Sequence, residues 1–471
     1  MKKFDLIILG QGSAAFAGAI KANDLGIKTA MIGGNATKGT VIGGTCVNVG
    51  CMPSKRLITV ATNFYDTQKN HWKGIKYGKS NVDFKKVIAQ KDEMVKKFRK
   101  EKYADVINEL KNVTYFNGKG NFVSKNQVKI ENQIIEGKKF LIAVGARTFI
   151  PKIKGIESID YLTNEEALGL EEVPKSLCIM GAGALGLEFA QLYAHFGTKV
   201  TLLQRSERIL SGAEPEISEY LKKYLEDEGI RILTGANINF VKRNKNQKII
   251  NVNQKGKKFN VICEQFLIAT GRTPNIDNLG LDKVKVKTDD KGFIQVNNEM
   301  QTSNPNIWAA GDVIGEPMLE TIAAKEGAVA VENAFTDNKK KIDFTEVPKA
   351  VFTYPEAASV GLTDSEANAK GIKCICKVMP FELVPKAHVI GDTRGVIKIV
   401  MQKENKQIVG VHILAPHAAD LIHEATLAVK FKLTIDDIID TVHVFPTLSE
   451  ATKLAAQSFY KDVSKLSCCT E

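Results

Sequence analysis

The sequence predicts an α/β protein that contains two Rossmann-like domains and continues into a further domain at its C-terminal end. A chain of 471 residues is too long for one hydrophobic core, so two or three domains are expected. Two segments, "FDLIILGQGSAAFAGAIKANDLGIKTAMIG" and "SLCIMGAGALGLEFAQLYAHFGTKVTLLQ", each predict a strand, a glycine turn, a helix and a second strand. The spacing from Gly10 to Gly33 equals that from Gly181 to Gln204, so the two segments form an internal repeat.

The composition is typical of a globular protein with ordinary solubility. Hydrophobic residues make up 44% of the chain and charged residues 25%. No apolar run is long enough to span a bilayer, and the N-terminus lacks the features of a signal peptide, so we expect a cytoplasmic protein without a membrane partner. The net charge of +12 comes from scattered lysines. Solvated surfaces explain these lysines better than nucleic-acid binding, although a positive field favours anionic cofactors.

The glycine turns of the repeat predict dinucleotide binding. Small residues let the backbone turn sharply and approach a pyrophosphate at a helix N-terminus, where free N–H groups point outward. Both turns carry the fingerprint, as GxGxxA or GxGxxG: Gly10, Gly12 and Ala15 in the first, and Gly181, Gly183 and Gly186 in the second. One copy is weak evidence, but two copies in full strand–turn–helix–strand context predict two dinucleotides, a flavin and a nicotinamide.

The residues that end the second strand of each repeat bear on cofactor choice. In the second copy, Gln204 replaces the acidic residue that binds the ribose of NAD, and Arg205 and Arg208 follow it. Guanidinium groups without a carboxylate favour a 2′-phosphate, so the sequence predicts NADPH. In the first copy, Gly33 and Gly34 stand where flavin enzymes usually carry Glu, and the sequence offers no substitute.

The stretch "GGTCVNVGCMPSKRLI" predicts a redox-active thiol pair. Cys46 and Cys51 are separated by four residues, and Pro53 suits the first turn of a helix. A thiol at a helix N-terminus has a lowered pKa and is a better thiolate. A structural disulfide is disfavoured in the cytosol, and a zinc site lacks a second ligand pair.

Four other cysteines are predicted to have structural roles. Cys178 and Cys263 lie in apolar runs typical of buried strands. Cys374 and Cys376 share one face of a predicted strand, but the sequence shows no further ligand near them, so a structural role is the expectation there as well.

The segment "GGTCVNVGCMPSK" resembles the disulfide motif of the pyridine nucleotide–disulfide oxidoreductases, and the likeness extends through "IATGRTPN" and "IWAAGDVIG" over essentially the whole chain. The resemblance implies an FAD-binding domain at 1–150 and 274–346, an NADPH-binding domain at 151–273 and an α+β dimerisation domain at 347–471. It also implies a homodimer in which each subunit completes the other's active site. The cofactor contacts that it implies, in addition to the fingerprint residues, are Gly44, Thr45, Gly145, Gly271, Asp312 and an ion pair between Lys55 and Glu188.

The sequence "TVHVFPTLSEA" departs from the disulfide-reducing members of this family. Those members carry a His before "PTxxE" that protonates the departing thiolate. Here Glu450 remains, but Phe445 occupies the His position and cannot carry a proton. His443 would share the face of Phe445 on an extended segment, although a structural histidine is the simpler interpretation. Ordinary disulfide reduction is therefore disfavoured.

The C-terminal "KDVSKLSCC" resembles the tail of the mercuric reductases within this family. Adjacent cysteines have Cα atoms about 3.8 Å apart, which is closer than a relaxed disulfide prefers, so Cys468 and Cys469 stay available as soft ligands. Tyr103 matches a tyrosine that this subfamily places beside its metal site, whereas Phe445 replaces a second one.

The sequence thus predicts an enzyme that uses NADPH and FAD to reduce Hg(II) to Hg(0). In this prediction Cys46 and Cys51 bind the metal at the flavin, and Cys468 and Cys469 deliver it across the dimer. The chain begins directly at the flavin unit, so Hg(II) is expected to come from thiols in solution or from another protein. One alternative is a disulfide reductase, like lipoamide dehydrogenase or thioredoxin reductase, in which the terminal thiols relay electrons. Another is a redox-sensing or metal-binding flavoprotein without turnover.

Overall fold

The computed structural model describes residues 1–34, 42–69, 72–76, 78 and 80–467. The chain forms two compact units, each made of three separate segments. The first unit comprises Met1–Arg56, Lys85–Phe149 and Gly271–Phe344; the second comprises Leu57–Phe84, Ile150–Thr270 and Thr345–Glu471.

Both units contain β-strands. In chain order, the strands of the described residues are β1 (Lys2–Leu9), β2 (Thr29–Gly33), β3 (Val113–Asn117), β4 (Gly120–Ser124), β5 (Gln127–Ile130), β6 (Gln133–Ile142), β7 (Ala146–Thr148), β8 (Ser176–Met180), β9 (Lys199–Leu203), β10 (Arg231–Leu233), β11 (Ala236–Asn244), β12 (Gln247–Gln254), β13 (Lys257–Cys263), β14 (Gln265–Ile268), β15 (Arg272–Pro274), β16 (Ile307–Ala309), β17 (Lys349–Val351), β18 (Glu356–Gly361), β19 (Cys374–Pro380), β20 (Val396–Gln402) and β21 (Ile408–Ala415).

Helices follow the strands of the repeat and frame the later sheet. In chain order they are α1 (Ser13–Asp24), α2 (Gly44–Val49), α3 (Cys51–Gln68), α4 (Phe84–Arg99), α5 (Asp105–Glu109), α6 (Asn164–Leu168), α7 (Ala184–His195), α8 (Pro215–Asp227), α9 (Glu320–Phe335), α10 (Asp364–Ala369), α11 (Pro385–Ile390), α12 (Ala418–Lys430), α13 (Ile435–Asp440) and α14 (Glu450–Gln457). None of these described helices combines the length and the apolar character needed to cross a membrane.

The first unit is organised around a mostly parallel sheet. Its strands run in the order β3-β2-β1-β6-β5-β4, and β16 also pairs with β6. Strands β1, β2, β3, β6 and β16 pair in parallel, whereas β4 and β5 pair antiparallel. A buried cluster that includes Phe122 and Phe140 fills one side of this sheet, and their rings meet edge to face with centroids 5.1 Å apart.

The second unit contains three sheets. Strands β10-β9-β8-β14 form a parallel sheet, and β11-β12-β13 form an antiparallel one. The C-terminal sheet has the order β17-β18-β21-β20-β19, with antiparallel pairing throughout. Helices α12, α13 and α14 contribute to its apolar core. Parallel sheets with strand–helix–strand repeats, followed by an α+β region, confirm the predicted fold class. The three-domain division at 150, 273 and 346 stays a prediction.

Both copies of the repeat turn at a glycine that lies against a carbonyl group. Gly10 has φ +142° and Gly181 has φ +106°, values that favour glycine. A Cβ atom on Gly10 would lie 2.1 Å from the carbonyl oxygen of Ala143, and one on Gly181 would lie 2.2 Å from that of Ala269. No side chain fits in either place. In both copies the glycine lies against the residue that follows the neighbouring parallel strand, so the two copies also share this contact.

The first turn of α1 packs closely against α9 at a third glycine. A Cβ on Gly327 would lie 2.0 Å from the carbonyl oxygen of Ala14. At the other end of these helices, Lys21 Nζ lies 3.2 Å from Glu332 Oε2. The N-terminus of α1 is therefore held by a second helix that arrives from 300 residues further along the chain.

Replacing Gly327 with Ala should lower the stability of the first unit. The added methyl group overlaps backbone that cannot rotate away, and overpacking of this kind costs about 1–3 kcal/mol. Thermal unfolding of the full-length protein measures the effect. Gly212→Ala is the matched control, because a Cβ there meets no described atom within 4 Å. Equal unfolding temperatures for the two variants would contradict the close contact between Gly327 and Ala14.

Candidate active site

The first glycine turn forms a cradle that fits a dinucleotide. Gly12 is the N-cap of α1, and no described side chain caps this helix end, so its first N–H groups face outward. A Cβ on Gly44 would lie 2.6 Å from Gly12 Cα, which places the start of α2 directly against the turn. Ala15 is completely buried. Of the other predicted cofactor contacts, Thr45 lies on α2, and Gly145 and Gly271 border the paired strands β7 and β15.

Two amides occupy the position of the missing acidic residue at the end of β2. A Cβ on Gly34 would lie 2.0 Å from Asn117 Oδ1, and one on Gly33 would lie 2.4 Å from Gln11 Cβ. The Tyr115 hydroxyl donates a hydrogen bond to Gln11 Oε1 at 2.9 Å. These side chains bring hydrogen-bonding groups to the end of β2. Sequence pattern could not indicate Asn117, because it belongs to β3, which follows β2 by about 80 residues.

Asp312, the predicted flavin contact, lies beside two other ionisable groups. Arg272 Nε lies 3.2 Å from Asp312 Oδ2. Burial raises the pKa of Asp312, and the positive charge of Arg272 opposes this effect. Sequence analysis missed Glu326, which is 1% exposed and accepts a hydrogen bond from the Gly311 N–H at 2.7 Å. Burial raises the pKa of Glu326 to about 7.

A glycine between two helices brings the predicted thiol pair together. Cys46 lies within α2 and Cys51 begins α3. A Cβ on Gly50 would lie 2.8 Å from the Thr45 carbonyl oxygen and 3.1 Å from Cys46 Cα, so only glycine allows this close return of the chain. Asn48 fixes α2 from the side, because it donates to the Gly44 carbonyl at 2.8 Å and accepts from Arg99 at 2.8 Å.

The two thiols differ in acidity because they share one hydrogen bond. Cys46 and Cys51 are both free thiols. The hydrogen bond from Cys46 lowers the pKa of Cys51, and the positive charge of Lys55 acts in the same direction. The same hydrogen bond, together with burial, raises the pKa of Cys46. Cys51 is therefore the more acidic thiol of the two.

Tyr103 lies beside the thiol pair on an irregular helical turn. Residues Lys100–Ala104 form a single π-helical turn between α4 and α5, a feature that is frequent at functional sites. The Tyr103 ring packs edge to face on Phe16, with centroids 4.9 Å apart. Burial raises the pKa of Tyr103 to about 12, and the charges of Cys46 and Glu320 act in the same direction. The phenol is therefore neutral at physiological pH.

Ser13 and Glu320, which no sequence motif indicates, also belong to this cluster. Ser13 Oγ donates a hydrogen bond to Glu320 Oε1 at 3.2 Å. Glu320 starts α9, and its negative charge raises the pKa of both cysteines of the pair. Close packing of α1 against α9 brings these two residues together across 307 positions of sequence.

The second glycine turn has an open helix N-terminus and is bound by Gln204. Gly183 is the N-cap of α7, and no described side chain caps it; Gly186 approaches the Gly181 carbonyl so closely that a Cβ would lie 1.9 Å from its oxygen. Gln204 Oε1 accepts from the Ala182 N–H at 3.2 Å, and Gln204 Nε2 donates to the Arg208 carbonyl at 3.3 Å.

Arg208 has an unused donor beside this turn. Its Nη1 atom is buried, and it has no hydrogen-bond partner among the described residues, whereas Arg205 is exposed. A buried guanidinium nitrogen that lacks a partner fits an anionic group, such as a 2′-phosphate.

Two other predicted site residues of the second unit, Glu188 and Glu450, accept hydrogen bonds from the backbone. Glu188 is buried on α7 and accepts from the Phe352 N–H at 3.0 Å. Lys55 belongs to the first unit, and its pairing with Glu188 stays a prediction. Glu450 accepts from the Thr447 N–H at 3.1 Å. Cys468 and Cys469 lie outside the described residues.

His443 is held by its own chain. Its Nε2 lies 2.8 Å from Glu424 Oε1, and its Nδ1 lies 3.0 Å from the Thr441 carbonyl oxygen. The Phe445 side chain is 49% exposed. Both ring nitrogens of His443 are therefore engaged locally, in agreement with a structural histidine.

Two family models match most of the chain. The family model described as "Pyridine nucleotide-disulphide oxidoreductase" matches residues 4–327, and the model for the dimerisation domain of the same family matches residues 347–456. The chain therefore belongs to the pyridine nucleotide-disulphide oxidoreductases. Enzymes of this family depend on FAD and use a pyridine nucleotide.

Similar curated proteins include mercuric reductases. The chain is 42% identical to a mercuric reductase of Lysinibacillus sphaericus and 41% identical to one of Staphylococcus aureus; each match covers 99% of this chain and 84% of the relative. It is 36% identical to a dihydrolipoyl dehydrogenase of Thermus scotoductus, over 98% of both chains.

Among solved structures, the Cu(II) complex of the HOCl-induced flavoprotein disulfide reductase RclA from Escherichia coli is similar, with a TM-score of 0.86. This match has 26% identity and covers 98% of this chain and 100% of that chain.

Replacing Cys46 with Ala should raise the pKa of Cys51, whereas Cys46→Ser should raise it less. Alanine removes the donor that favours the Cys51 thiolate, while serine keeps an O–H donor, and we expect a difference of about one pKa unit between the variants. The ultraviolet absorbance of the thiolate against pH measures it, with each spectrum referenced to the same variant lacking Cys51. Identical midpoints would contradict the shared hydrogen bond.

Replacing Arg208 with Ala should weaken NADP⁺ binding and leave NAD⁺ binding unchanged. A lost charge-assisted hydrogen bond is worth about 1.5–3 kcal/mol, or roughly a 10–100-fold change in dissociation constant. Titration of both nucleotides into the full-length protein measures this selectivity. Lys222→Ala, which removes a half-buried cation of α8 that pairs with Glu226, is the control. If the unaltered protein bound NAD⁺ more tightly than NADP⁺, Arg208 would not select the 2′-phosphate.

Proposed function

We propose that this member of the pyridine nucleotide-disulphide oxidoreductases is an NADPH-dependent enzyme that reduces Hg(II) to Hg(0). The overall reaction is NADPH plus Hg(II) giving NADP⁺, H⁺ and Hg(0), so two electrons pass to the metal and no substrate bond needs protonation. FAD, when bound, accepts hydride from the nicotinamide and supplies the electron pair at the thiols. The proposal includes a cytoplasmic homodimer.

The observation that carries the proposal is a pair of neighbouring thiols, Cys46 and Cys51, combined with Phe445 at the position of the histidine of the disulfide-reducing members. Opening a disulfide releases a thiolate that requires a proton, and phenylalanine cannot give one. A soft metal ion reduced to the neutral atom leaves its thiolate ligands without proton transfer. Similarity to curated mercuric reductases over 99% of the chain supports the same substrate.

The residues around the thiol pair fit a binding site for a soft cation. Cys51 is the better thiolate of the pair, and Cys46 is half-buried beside it. Thiolates select soft ions such as Hg(II) over hard ones. Neutral Tyr103 presents a hydroxyl oxygen close to Cys46, and the carboxylate of Glu320 adds negative charge that favours a cation at the pair.

The NADPH-binding residues in this proposal belong to the second glycine turn. Gly181 and Gly183 leave the N-terminus of α7 open for the pyrophosphate, and Arg208 meets the 2′-phosphate. Gln204 holds the turn and the Arg208 backbone together through its two hydrogen bonds.

In the proposed dimer, Cys468 and Cys469 of one subunit take Hg(II) from thiol complexes and pass it by ligand exchange to Cys46 and Cys51 of the other. The match to the dimerisation domain ends at residue 456, and the two tail cysteines follow after eleven further residues. Three exposed apolar side chains, Val442, Val444 and Phe445, lie within that domain and suit burial against a second subunit.

The full-length protein in excess thiol should consume NADPH when Hg(II) is added and should release Hg(0) vapour. The Cys468→Ala/Cys469→Ala variant should lose at least about tenfold in turnover of thiol-bound Hg(II), as expected when a ligand pair worth more than about 1.4 kcal/mol is removed, and should still reduce its flavin normally. Cys178→Ala, which alters a buried cysteine of the second unit, is the control.

Two results would count against this proposal. Normal flavin reduction without mercury vapour would exclude Hg(II) reduction. NADPH oxidation driven by lipoamide or oxidised glutathione, with no response to Hg(II), would instead identify a disulfide reductase.

A further inference from the structure

We propose that the second unit carries a separate binding site for one thiophilic divalent cation, formed by Cys374, Cys376 and Asp364. Sequence analysis had found no third ligand for this cysteine pair. Among the described residues, these three form the one group of three or more His, Cys, Asp or Glu whose ligand atoms all lie within 4.8 Å of one another.

Secondary structure places both sulfur atoms on the same side of the C-terminal sheet. Cys374 and Cys376 are two residues apart on β19, so their side chains point to the same face. Strand β19 pairs with β20 and lies at the end of the strand order, which leaves this part of the sheet open to one side. Both cysteines are half-buried, so an ion can reach them while part of their surface is shielded from water.

The third ligand comes from the start of α10. Asp364 is the first residue of this helix, and Thr363 caps it through a capping box with Glu366. The Cys374 thiol donates a hydrogen bond to Asp364 Oδ1 at 3.0 Å. A metal ion bound by sulfur and carboxylate ligands takes the place of such a proton.

Neighbouring groups orient the Asp364 carboxylate. Asn368 Nδ2 donates to Asp364 Oδ1 at 2.9 Å, and the Asp364 N–H donates to Glu214 Oε1 at 2.7 Å. Partners of this kind fix the position of a metal ligand and tune its affinity. The nearby cation Lys398 is occupied, because its Nζ lies 2.9 Å from Glu214 and 3.0 Å from Glu216.

The donor set selects a soft ion. Two thiolates and one carboxylate carry three negative charges, which suit a divalent cation of the zinc, cadmium and mercury group and not Mg²⁺ or Ca²⁺. Ligands about 2.3 Å from one zinc-like ion place two sulfurs no more than about 4.6 Å apart. The observed separations need little adjustment to meet this limit. Water or a small thiol completes the coordination.

The other cysteine pair of the second unit supplies a contrast. Cys178 and Cys263 are 0% and 2% exposed, and burial raises the pKa of Cys178. A cation cannot reach them, and no described acidic residue joins them in a ligand group. The two cysteine pairs therefore differ in whether a cation can reach them and in whether a third ligand lies beside them.

Cadmium binding by the full-length, FAD-loaded protein tests the site, because Cd(II) is a thiophilic probe whose uptake is independent of turnover. Equilibrium dialysis should show one Cd(II) per chain fewer for Cys374→Ala/Cys376→Ala than for the unaltered protein. Asp364→Asn should keep the stoichiometry but weaken this site at least about tenfold, because the amide keeps one oxygen donor and loses the negative charge that attracts the cation. Cys178→Ala should bind as the unaltered protein does.

Unchanged cadmium stoichiometry in the double variant would overturn the proposal, as would a Cys374–Cys376 disulfide that takes up no metal. Flavin content and thermal unfolding confirm that each variant is folded. The double variant should retain Hg(II)-dependent NADPH oxidation, so failure of this site and failure of the proposed function give different results.

Discussion

The steric contact between a turn glycine and a neighbouring carbonyl oxygen is the constraint on which both nucleotide sites depend. Gly10 lies against Ala143 and Gly181 against Ala269, with no room for a Cβ in either case. These contacts close the turn tightly after the first strand and let the helix begin within three residues. The helices consequently start with glycine N-caps and open N–H groups, which are what a pyrophosphate requires. Any larger residue would separate the strand from its helix and remove both properties.

The thiol pair depends on the same region through a second set of glycines. Gly44 touches Gly12, so the helix that carries Cys46 begins on the turn that would hold the flavin pyrophosphate. Gly50 then lets the chain return over α2, which places Cys51 at the start of α3 and within hydrogen-bonding reach of Cys46. The position of the two sulfurs is thus set by backbone contacts and not by large side chains. We infer that cofactor binding and thiol geometry respond together to changes in this turn.

The sequence predicted features that local pattern determines. The repeat, the glycine fingerprints and the thiol pair each lie within a short segment, where spacing and residue type carry the information. It could not predict Glu320 beside Ser13, Asn117 over Gly34 or Asp364 beside Cys374, because those contacts arise when distant segments pack together. The alternation of side chains along a strand predicted that Cys374 and Cys376 share one face. The third ligand, Asp364, begins a separate helix, so the sequence did not indicate a metal site there. The tail cysteines were singled out by resemblance and lie outside the described residues.

The C-terminal segment bears on the choice between a disulfide and a soft metal ion as the acceptor of electrons. His443 uses one ring nitrogen on a backbone carbonyl and the other on Glu424, so releasing it for acid catalysis would leave a carboxylate without its partner. In disulfide-reducing members the glutamate at the position of Glu450 orients the catalytic histidine. In this chain Glu450 accepts a hydrogen bond from the backbone of Thr447. With Phe445 at the intervening position, this segment has no histidine where the disulfide-reducing members carry their proton donor. An acceptor that takes two electrons and leaves as a neutral atom makes no use of that donor, and it is therefore the acceptor that best suits this chain.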